Sequence, residues 1–241
     1  MTDKLNISVI IPCLNEAENL SHLLPFLLKN SGESVKEIIL VDGGSTDDSV
    51  EVARSFGILV LESPLPNRAV QLNLGASRAK SELLYFLHAD TRPCEEISDV
   101  IVKSASTGIQ AGCFRLKFDS KSSLLRFNSW YTRFNGIFSG GGDQSLFITK
   151  DLFDSLGGYD QSFCIMEDFD LTRRIRQKTK FHVLPFDMKV SARKYQENSW
   201  LRVQLANSLA FSLFLLKIKP ATIKSLYLNF LSIKKYQHNS S

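Results

Sequence analysis

Polar side chains suited to chemistry follow directly on a short apolar run in the first half of the chain. The run is Leu83–Leu87, and His88, Ala89 and Asp90 come next, before Pro93. Such a run predicts a strand buried on both faces of a parallel sheet. Because ligands in open α/β sheets bind beyond the carboxyl ends of strands, His88 and Asp90 are candidate site residues. The alternative is that Asp90 only caps a turn before Thr-Arg-Pro.

Carboxylates at two further places can complete such a site. Asp42 ends a second apolar run, and Glu167 and Asp168 begin the segment EDFDLTRRIR. In a parallel sheet Asp42 and Asp90 share one edge, where a nucleotide and a metal-bound diphosphate fit side by side. Asp90 offers an oxygen ligand to a hard divalent cation. Neutral His88 can hydrogen-bond the ligand or join the metal shell, although a lone histidine more often packs or hydrogen-bonds within the fold.

The elements that must position these residues alternate between strand-like and helix-like segments, which predicts a parallel sheet flanked by helices. The predicted strands are Ile7–Ile11 (ended by Pro12), Ile38–Val41, Ile58–Leu61 and Leu83–Leu87. The predicted helices are a leucine-rich one capped by Asn15 with Glu18 and kinked or interrupted at Pro25, one from near Ser45 closed by Gly57, and Arg68–Lys80. After Ala111 the pattern changes to mixed strands and helices.

Composition is that of one globular domain with an appendage, which we divide at residues 1–196 and 197–241. The chain has 241 residues, of which 44% are hydrophobic and 22% charged. The four cysteines are scattered without zinc-like spacing, so we expect reduced thiols. The N-terminus lacks the features of a signal peptide. These observations predict a cytoplasmic protein.

The final third of the chain is strongly basic. Residues 171–241 contain 14 Lys or Arg and two acids, whereas residues 1–170 contain 15 basic and 23 acidic side chains. This asymmetry favours an anionic partner surface, and the alternative is a solvated basic face. We therefore expect contact with an anionic membrane at its inner face, and no nucleic acid partner.

An apolar stretch, Asn198–Leu216, lies within this basic third. Its longest uncharged part, Val203–Leu216, has 14 residues, fewer than the roughly 20 needed to cross a bilayer. It predicts a core helix or an amphipathic helix at a membrane interface, with flanking basic residues facing anionic head groups. The last residues, Tyr236–Ser241, are expected to fray.

Six short motifs occur in the order SVIIPCLNEAENL, ILVDGGSTDDS, NRAVQLNLGA, FLHADT, GGDQSLF and MEDFDLTRR. Together they resemble bacterial family 2 glycosyltransferases with the GT-A nucleotide-sugar-binding fold, over roughly residues 7–195. The resemblance implies an α/β fold with a Rossmann-like mixed, mainly parallel sheet flanked by helices, followed by a C-terminal helical appendage. The HAD triplet, the GGDQ loop and SARKY are similar to small transferases described as radical-SAM/selenodomain-associated, some of them linked to arsenosugar synthesis.

The resemblance implies roles residue by residue. Nucleotide-sugar contacts are implied at Pro12, Asn15, Glu16, Asp42, Arg68, Gln71, His88, Ala89, Asp90 and Arg193. Asp90 matches the last Asp of the family's D-x-D motif, which binds the metal (Mg²⁺ or Mn²⁺) and the diphosphate, while His88 stands at its first Asp. Gly43 stands where many relatives have a second Asp. Glu167 and Asp168, with Leu171 and Arg174, keep the pattern E-D-x-x-L-x-x-R, and Asp168 matches the general base.

The residue types themselves allow these roles and simpler structural ones. Inverting transfer needs a carboxylate that takes the acceptor's proton, yet Glu167 and Asp168 equally suit a helix N-terminus, where the dipole favours acids. Arg193 either donates to the diphosphate or belongs to the basic surface. The glycines before Asp143 lack the Lys-Ser/Thr of a P-loop. They predict a flexible acceptor-side loop or a plain chain reversal, with the loop residues Gly141, Gly142, Asp143 and Gln144.

The leading hypothesis is a metal-assisted, inverting, hexosyltransferase-like enzyme that moves a sugar from a nucleotide-diphosphate sugar, with a UDP-sugar as the expected donor. A sugar nucleotidyltransferase is a rival, but PCLNEAEN lacks the expected glycine-rich loop. A nucleotide-binding or membrane-associated protein without transferase activity is the alternative that His88 and Gly43 keep open. The acceptor stays open between a small hydroxylated metabolite, a polyprenyl phosphate and a glycolipid.

Overall fold

The structure, a computed structural model, describes residues 5–231. Residues 1–4 and 232–241, which include the end expected to fray, lie outside the described residues. The described chain forms one mixed sheet of eight strands. The strands are β1 (Ile7–Cys13), β2 (Val35–Asp42), β3 (Leu59–Glu62), β4 (Leu83–Phe86), β5 (Thr91–Arg92), β6 (Ala111–Phe118), β7 (Leu146–Thr149) and β8 (His182–Val190).

Helices connect these strands and extend beyond the last of them. They are α1 (Ala17–Asn30), α2 (Ser49–Ser55), α3 (Arg68–Arg78), α4 (Ile97–Ser106), α5 (Ser123–Tyr131), α6 (Lys150–Ser155), α7 (Glu167–Lys178), α8 (Arg193–Glu197), α9 (Trp200–Leu215) and α10 (Pro220–Phe230). A short 3-10 turn, Gly142–Gln144, precedes β7. The proposed division between residues 196 and 197 falls one residue before the end of α8.

Strand direction brings most strand ends to one edge of the sheet. The strand order is β3-β2-β1-β4-β7-β6-β8-β5. The pairs β2–β3, β1–β2, β1–β4 and β6–β8 are parallel, while β7 is antiparallel to both β4 and β6. Strands β1, β2, β3, β4, β6 and β8 therefore run in one direction, and their carboxyl ends form a single edge. The predicted mixed, mainly parallel sheet is confirmed.

The core lies on both faces of this sheet because side chains alternate along each strand. Ile7, Val9 and Ile11 of β1 pack on one face with α1, α2 and α4. Ile10 points to the other face, with α3, α6 and α7. Both faces of β1 are buried, which explains its continuous apolar sequence.

Pro12 does not end β1, contrary to the sequence prediction. The strand continues to Cys13, and Pro12 pairs with Val41 of β2. The carbonyl of Ile10 accepts from the Leu87 amide on the β4 side, while that of Cys13 accepts from Gly43 on the β2 side. Pro12 has the parity of Ile10, so its nitrogen faces the β4 side, where β4 has already ended. No ladder hydrogen bond is lost there.

Two predicted helix starts are also wrong. Asn15 does not cap α1, which begins at Ala17, and Asn15 instead has a left-handed backbone (φ 54°) in the preceding loop. The second helix begins at Ser49 rather than near Ser45, because residues 45–48 form a loop that binds the loop after β1. The leucine-rich helix runs through Pro25 without interruption.

The C-terminal helices differ from the amphipathic prediction. Val203, Ala206 and Ala210 on one side of α9 are buried, yet leucines also occupy its exposed side. The exposed leucines of this region are Leu201, Leu205, Leu209, Leu215 and Leu216. Helix α9 is therefore apolar on both sides rather than divided into an apolar and a basic face. None of the helices in the described residues is long and apolar enough to cross a membrane.

Helix α3 packs so closely on the sheet that only glycine fits at position 75. A Cβ there would lie 2.4 Å from Cγ2 of Ile10 and 3.1 Å from Cγ2 of Val41. We predict that Gly75→Ala lowers the free energy of unfolding by about 1–3 kcal/mol, because overpacking outweighs alanine's better helix propensity. Denaturant unfolding measures the change. Gly136→Ala is the matched control, since nothing lies within 4 Å of its Cβ position; equal stability of the two variants would contradict the packing argument.

Candidate active site

The loops after β1 and β2 bind each other at the carboxyl edge of the sheet. The carbonyl oxygen of the Asn15 side chain accepts from the Thr46 amide at 2.8 Å, and the Asn15 amide donates to Oγ of Ser45 at 2.9 Å. The Asp42 carboxylate accepts from the amides of Gly44 and Ser45, at 2.9 and 3.0 Å to Oδ2. Asn15 and Asp42, both expected to contact nucleotide, thus also shape the loops in which they lie.

Glu16 lies in the same pair of loops. Its backbone amide donates to Oγ of Ser49 at 2.8 Å, and the next amide, of Ala17, donates to Oδ2 of Asp47 at 3.1 Å. Hydrogen bonds from Ser49 lower the pKa of Asp47 against the opposing effect of burial. The start of α1 is therefore bound to the start of α2 through polar side chains.

The side chain of Gln71 connects the carboxyl ends of β1 and β2. Its side-chain nitrogen donates to the carbonyl oxygens of Cys13 and Val41, both at 2.8 Å, and the residue is buried. A Cβ at position 43 would lie 2.9 Å from that nitrogen, which explains why Gly43 follows Asp42. Gln71 therefore lies against the carboxyl ends of both strands, where its side-chain amide hydrogen-bonds the backbone.

The residues His88, Ala89 and Asp90 form a tight turn after β4. The Thr91 amide donates to the carbonyl of His88 at 3.1 Å, so Ala89 and Asp90 are the central residues. The Arg92 guanidinium donates to the carbonyl of Ala89 at 3.3 Å. Burial lowers the pKa of Arg92, and the negative charge of Asp90 opposes this effect. Asp90 is partly exposed at the edge of the sheet, as the strand-end argument predicts.

The glycine loop before β7 is packed rather than loose. Gln144 is buried, and its side chain accepts from the Gly140 amide at 2.8 Å and donates to the carbonyl of Phe114 at 3.0 Å. A Cβ at Gly140 would lie 2.6 Å from Oγ1 of Thr172 on α7. The loop expected to be flexible is therefore held between β6 and α7, while Asp143 is exposed on its outer side.

Glu167 and Asp168 begin α7 at the same edge. The preceding residue, Met166, has a left-handed backbone (φ 66°), an uncommon conformation that turns the chain into the helix. Glu167 is buried, with Oε1 3.4 Å from the Arg68 guanidinium at the start of α3. Arg68 itself is 44% exposed, so its charge lies between the buried carboxylate and solvent.

Gly142 brings the turn after β4 and the start of α7 together. A Cβ at Gly142 would lie 2.5 Å from Oδ2 of Asp168 and 2.9 Å from Nε2 of His88. Any side chain at position 142 would therefore displace one of these two groups. A small pocket opens at this point, lined by Phe86, His88, Gly140, Gly141, Gly142, Ser145, Leu146, Tyr159 and Asp168.

Burial dominates the electrostatics of this pocket. Burial, and secondarily the charge of Glu167, raise the pKa of Asp168 well above its usual range. Burial and the positive charge of Arg68 lower the pKa of His88 to about 4. At neutral pH His88 is therefore uncharged and can accept a hydrogen bond, while Asp168 holds a proton more strongly than an ordinary carboxylate.

A divalent cation fits this edge only with help from a ligand. Among residues 5–231 no group of three or more His, Cys, Asp and Glu side chains could hold a metal ion. Asp90 offers a carboxylate at a partly exposed turn, and His88 lies two residues before it. Mg²⁺ commonly takes one or two protein carboxylates, with substrate phosphates and water as its other ligands. The donor set therefore suits a cation that arrives with a diphosphate.

Of the predicted site residues, His88, Gly141, Gly142 and Asp168 line the small pocket and the others do not. Sequence reasoning did not single out Lys194 or Tyr159. Arg193 is exposed on α8, whereas its neighbour Lys194 is partly buried, with Nζ 5.2 Å from the Tyr227 ring centroid. Asp143 and Tyr227 raise the pKa of Lys194 against the effect of burial. Tyr159 lines the pocket beside Asp168 and was missed because an aromatic residue in a loop carries no chemical signal in sequence.

The chain is similar to known glycosyltransferases. The model of glycosyl transferase family 2 matches residues 8–164. The succinoglycan biosynthesis protein ExoA of Rhizobium meliloti is 27% identical over 188 residues, which are 69% of this chain and 57% of that protein. The chain thus spans little more than half the length of that relative.

Solved structures share the fold. A mannosyltransferase from Pyrobaculum calidifontis in complex with GDP-Man and Mn²⁺ superposes with a TM-score of 0.68 at 16% identity, covering 87% of this chain and 63% of that one. Residues 1–349 of S. aureus TarS in complex with UDP-GlcNAc give a TM-score of 0.67 at 14% identity, covering 94% and 71%. At these identities the likeness establishes the GT-A-like fold.

The raised pKa of Asp168 predicts that this carboxylate costs stability when ionised. Below the unfolded-state pKa of about 4 both states are protonated, and the cost grows as pH rises toward the folded-state pKa. Asp168→Asn should therefore melt a few degrees higher than the natural chain at neutral pH, with a difference that widens from about pH 4.5 upward. Thermal unfolding across that range, without ligand, measures it.

Asp170→Asn is the matched control for this measurement. The Asp170 carboxylate accepts from the guanidinium groups of Arg173 and Arg174, both at 2.8 Å. Its neutral substitute should lower the melting temperature, because the guanidinium groups of Arg173 and Arg174 lose the charge of their buried partner. A loss of stability in both variants would contradict the assigned environment of Asp168.

Proposed function

The chain belongs to glycosyl transferase family 2, and we propose that it transfers a sugar from a nucleotide-diphosphate sugar to an acceptor hydroxyl with inversion at the anomeric carbon. Asp168 is the general base of this proposal. The observation that carries it is the apposition of Asp168 and His88 across Gly142, at the edge where six strands end. We expect a UDP-sugar as donor and a hexosyl group as cargo.

Asp168 suits the transfer of one proton. The acceptor oxygen attacks the anomeric carbon and forms the new glycosidic bond, while its proton passes to Oδ2 of Asp168. The bond from the anomeric carbon to the diphosphate breaks, and the diphosphate keeps the electron pair. A carboxylate with a raised pKa is a stronger base than an exposed one, and the best catalytic pKa lies near the working pH.

The loops after β1 and β2 are the proposed nucleotide site. Pro12, Asn15, Glu16 and Asp42 stand at these two strand ends, and Gln71 holds the ends together. Arg68 pairs with Glu167, and its positive charge also acts on His88 and Asp168; such a charge favours a diphosphate. The neutral ring of His88 offers an acceptor to a sugar hydroxyl.

Asp90 is the proposed protein ligand of Mg²⁺ or Mn²⁺. A bound cation would neutralise charge on the departing diphosphate. The mannosyltransferase of similar fold was solved with GDP-Man and Mn²⁺, and TarS with UDP-GlcNAc, which supports a nucleotide-sugar donor with a divalent cation. The loop Gly141–Gln144, beside Asp168, is the proposed acceptor side. The charge of Asp143 in this loop, after that of Tyr227, raises the pKa of the partly buried Lys194, whereas Arg193 is exposed.

Three finer proposals rest on sequence. HAD, GGDQ and SARKY support the radical-SAM/selenodomain-associated subgroup. The basic C-terminal third supports contact with an anionic membrane, and contact with a second subunit is the alternative. The boundary between a transferase domain and a C-terminal extension, between residues 196 and 197, lies one residue before the end of α8. A nucleotide-binding or membrane-associated protein without transferase activity is the rival that the following variants test.

We predict that Asp168→Asn keeps donor binding but loses at least about 100-fold in turnover, because an amide cannot accept the acceptor's proton at neutral pH. Calorimetry with UDP and the divalent cation measures binding, and release of nucleotide diphosphate from the donor measures turnover. Asp151→Asn, in the first turn of α6, is the control. Near-normal turnover of Asp168→Asn would refute the general-base role.

We predict that Asp90→Ala weakens binding of a nucleoside diphosphate far more than binding of the bare nucleoside, because Asp90 acts through the cation. Calorimetry with each ligand, in Mn²⁺ and in chelator, separates the two effects. Asp99→Ala, an exposed carboxylate on α4, should change neither. An equal loss for both ligands would show that the turn after β4 has collapsed and would contradict the metal role.

A further inference from the structure

Helix α5 presents its aromatic face to solvent. Phe127, Trp130 and Tyr131 of α5 and Phe134, three residues beyond its end, recur at helical spacing, and all four are between 46% and 59% exposed. Two further apolar side chains of the following loop, Ile137 and Phe138, are at least half exposed. We call residues 124–138 the aromatic surface. Monomeric soluble proteins rarely expose apolar patches of this extent, and larger ones mark binding surfaces.

The side of α5 that faces the protein combines one buried leucine, Leu125, with polar groups. Oγ of Ser129 accepts from the Phe118 amide at 3.3 Å, and Oγ1 of Thr132 accepts from the Leu116 amide at 2.9 Å. These hydroxyls satisfy the edge of β6 beyond its short pairing with β7, which ends at Cys113. The inward side of this segment therefore binds the sheet mainly through hydroxyls, while its aromatic rings face solvent.

The aromatic surface continues onto α9 and reaches the pocket. The Phe138 ring lies 4.6 Å from that of Phe211 on α9, and Phe211 lies 5.3 Å from Phe169, the residue after Asp168. Phe169 in turn lies 3.1 Å from the Cβ position of Gly141. A continuous path of rings therefore joins the aromatic surface and the exposed leucines of α9 to the acceptor side of the pocket.

Charge identifies the partner. Residues 120–142 contain Lys121, Arg126 and Arg133 and no acidic residue, and residues 198–231 contain four basic residues and again no acid. The Arg133 guanidinium lies 5.8 Å from the Trp130 ring centroid, so cationic and aromatic groups occur side by side. Tryptophan and tyrosine with flanking cations are the side chains favoured at the interface of a bilayer with anionic lipids.

We propose that the aromatic surface, together with the exposed leucines of α9, inserts into the interface of an anionic membrane and opens the pocket toward it. The aromatic surface lies outside the basic C-terminal third, whereas the leucines of α9 lie within it. The docking stands without the transferase function. Its consequence for the acceptor rests on that function: the acceptor hydroxyl that reaches Asp168 belongs to an amphiphile held in the membrane.

Trp130 is a built-in reporter for the test. The chain has two tryptophans, so Trp200→Phe leaves only Trp130. With vesicles of phosphatidylglycerol and phosphatidylcholine we expect a blue shift of its emission and quenching by brominated acyl chains, both reduced by salt. Vesicles of phosphatidylcholine alone should give neither effect at the same lipid concentration.

A double variant tests the surface itself. Phe127→Ser with Phe134→Ser should lower cosedimentation with the anionic vesicles at least about tenfold, because two inserted rings are lost. Leu28→Ser with Leu59→Ser is the matched control, since both leucines are exposed on α1 and on the edge strand β3. Equal melting temperatures of the variants exclude unfolding as the cause.

Three outcomes overturn the proposal. They are an unshifted Trp130 emission, equal vesicle binding by both double variants, and a concentration-dependent dimer that Phe127→Ser with Phe134→Ser abolishes, which would assign the surface to a second copy of this chain. Binding of UDP with Mn²⁺, measured by calorimetry on the same variants, should stay unchanged. Loss of vesicle binding with intact nucleotide binding therefore refutes the docking alone. Absence of nucleotide binding with intact vesicle binding refutes the proposed function alone.

Discussion

Gln71 makes the contacts on which the proposed nucleotide site depends. Its amide nitrogen donates to the carbonyl oxygens of Cys13, the last residue of β1, and Val41, the penultimate residue of the parallel strand β2. The Cys13 carbonyl also accepts from the Gly43 amide, so Gln71 adds a second hydrogen bond there and one more at Val41. A typical hydrogen bond contributes about 0.5–1.5 kcal/mol. By binding both strands, Gln71 connects their carboxyl ends, next to the loops in which Asn15 and Asp42 lie.

The pocket around Asp168 shows how a fold sustains an unfavourable arrangement. Two carboxylates are adjacent on α7, and the Arg68 guanidinium lies 3.4 Å from Glu167. Asp168 stays close to His88 because Gly142 has no side chain, and the buried amide of Gln144 holds the glycine loop in place. The energy that favours this arrangement comes from the surrounding core, in which Phe86, Tyr159 and Leu171 are buried. A strained or electrostatically costly group that persists in such a setting is a common sign of a functional site.

Helix α5 also combines a favourable contact with an unfavourable one, at the surface of the protein. Its hydroxyls satisfy backbone amides of β6 that a neighbouring strand would otherwise satisfy. Using the polar side in this way leaves the aromatic side exposed, which is unfavourable in water alone. The strand directions place α5, α8 and the turn with Asp90 after strands that end at one edge, so an exposed apolar surface and a polar pocket become neighbours.

Local sequence determined the first four strands and the position of Asp42, His88 and Asp90 at strand ends, because apolar runs of four or five residues followed by polar residues indicate both burial and strand ends without any tertiary information. The motif order likewise determined the family. Tertiary structure decided what depends on contacts between distant segments. Pro12 continues β1 because β4 ends before it, and Asn15 binds Thr46 rather than capping α1. Lys194 instead of Arg193 is turned inward on α8. The outward direction of the α5 rings could not be predicted either, since the same helical spacing normally marks a buried face, and only the hydroxyls' bonds to β6 reverse it.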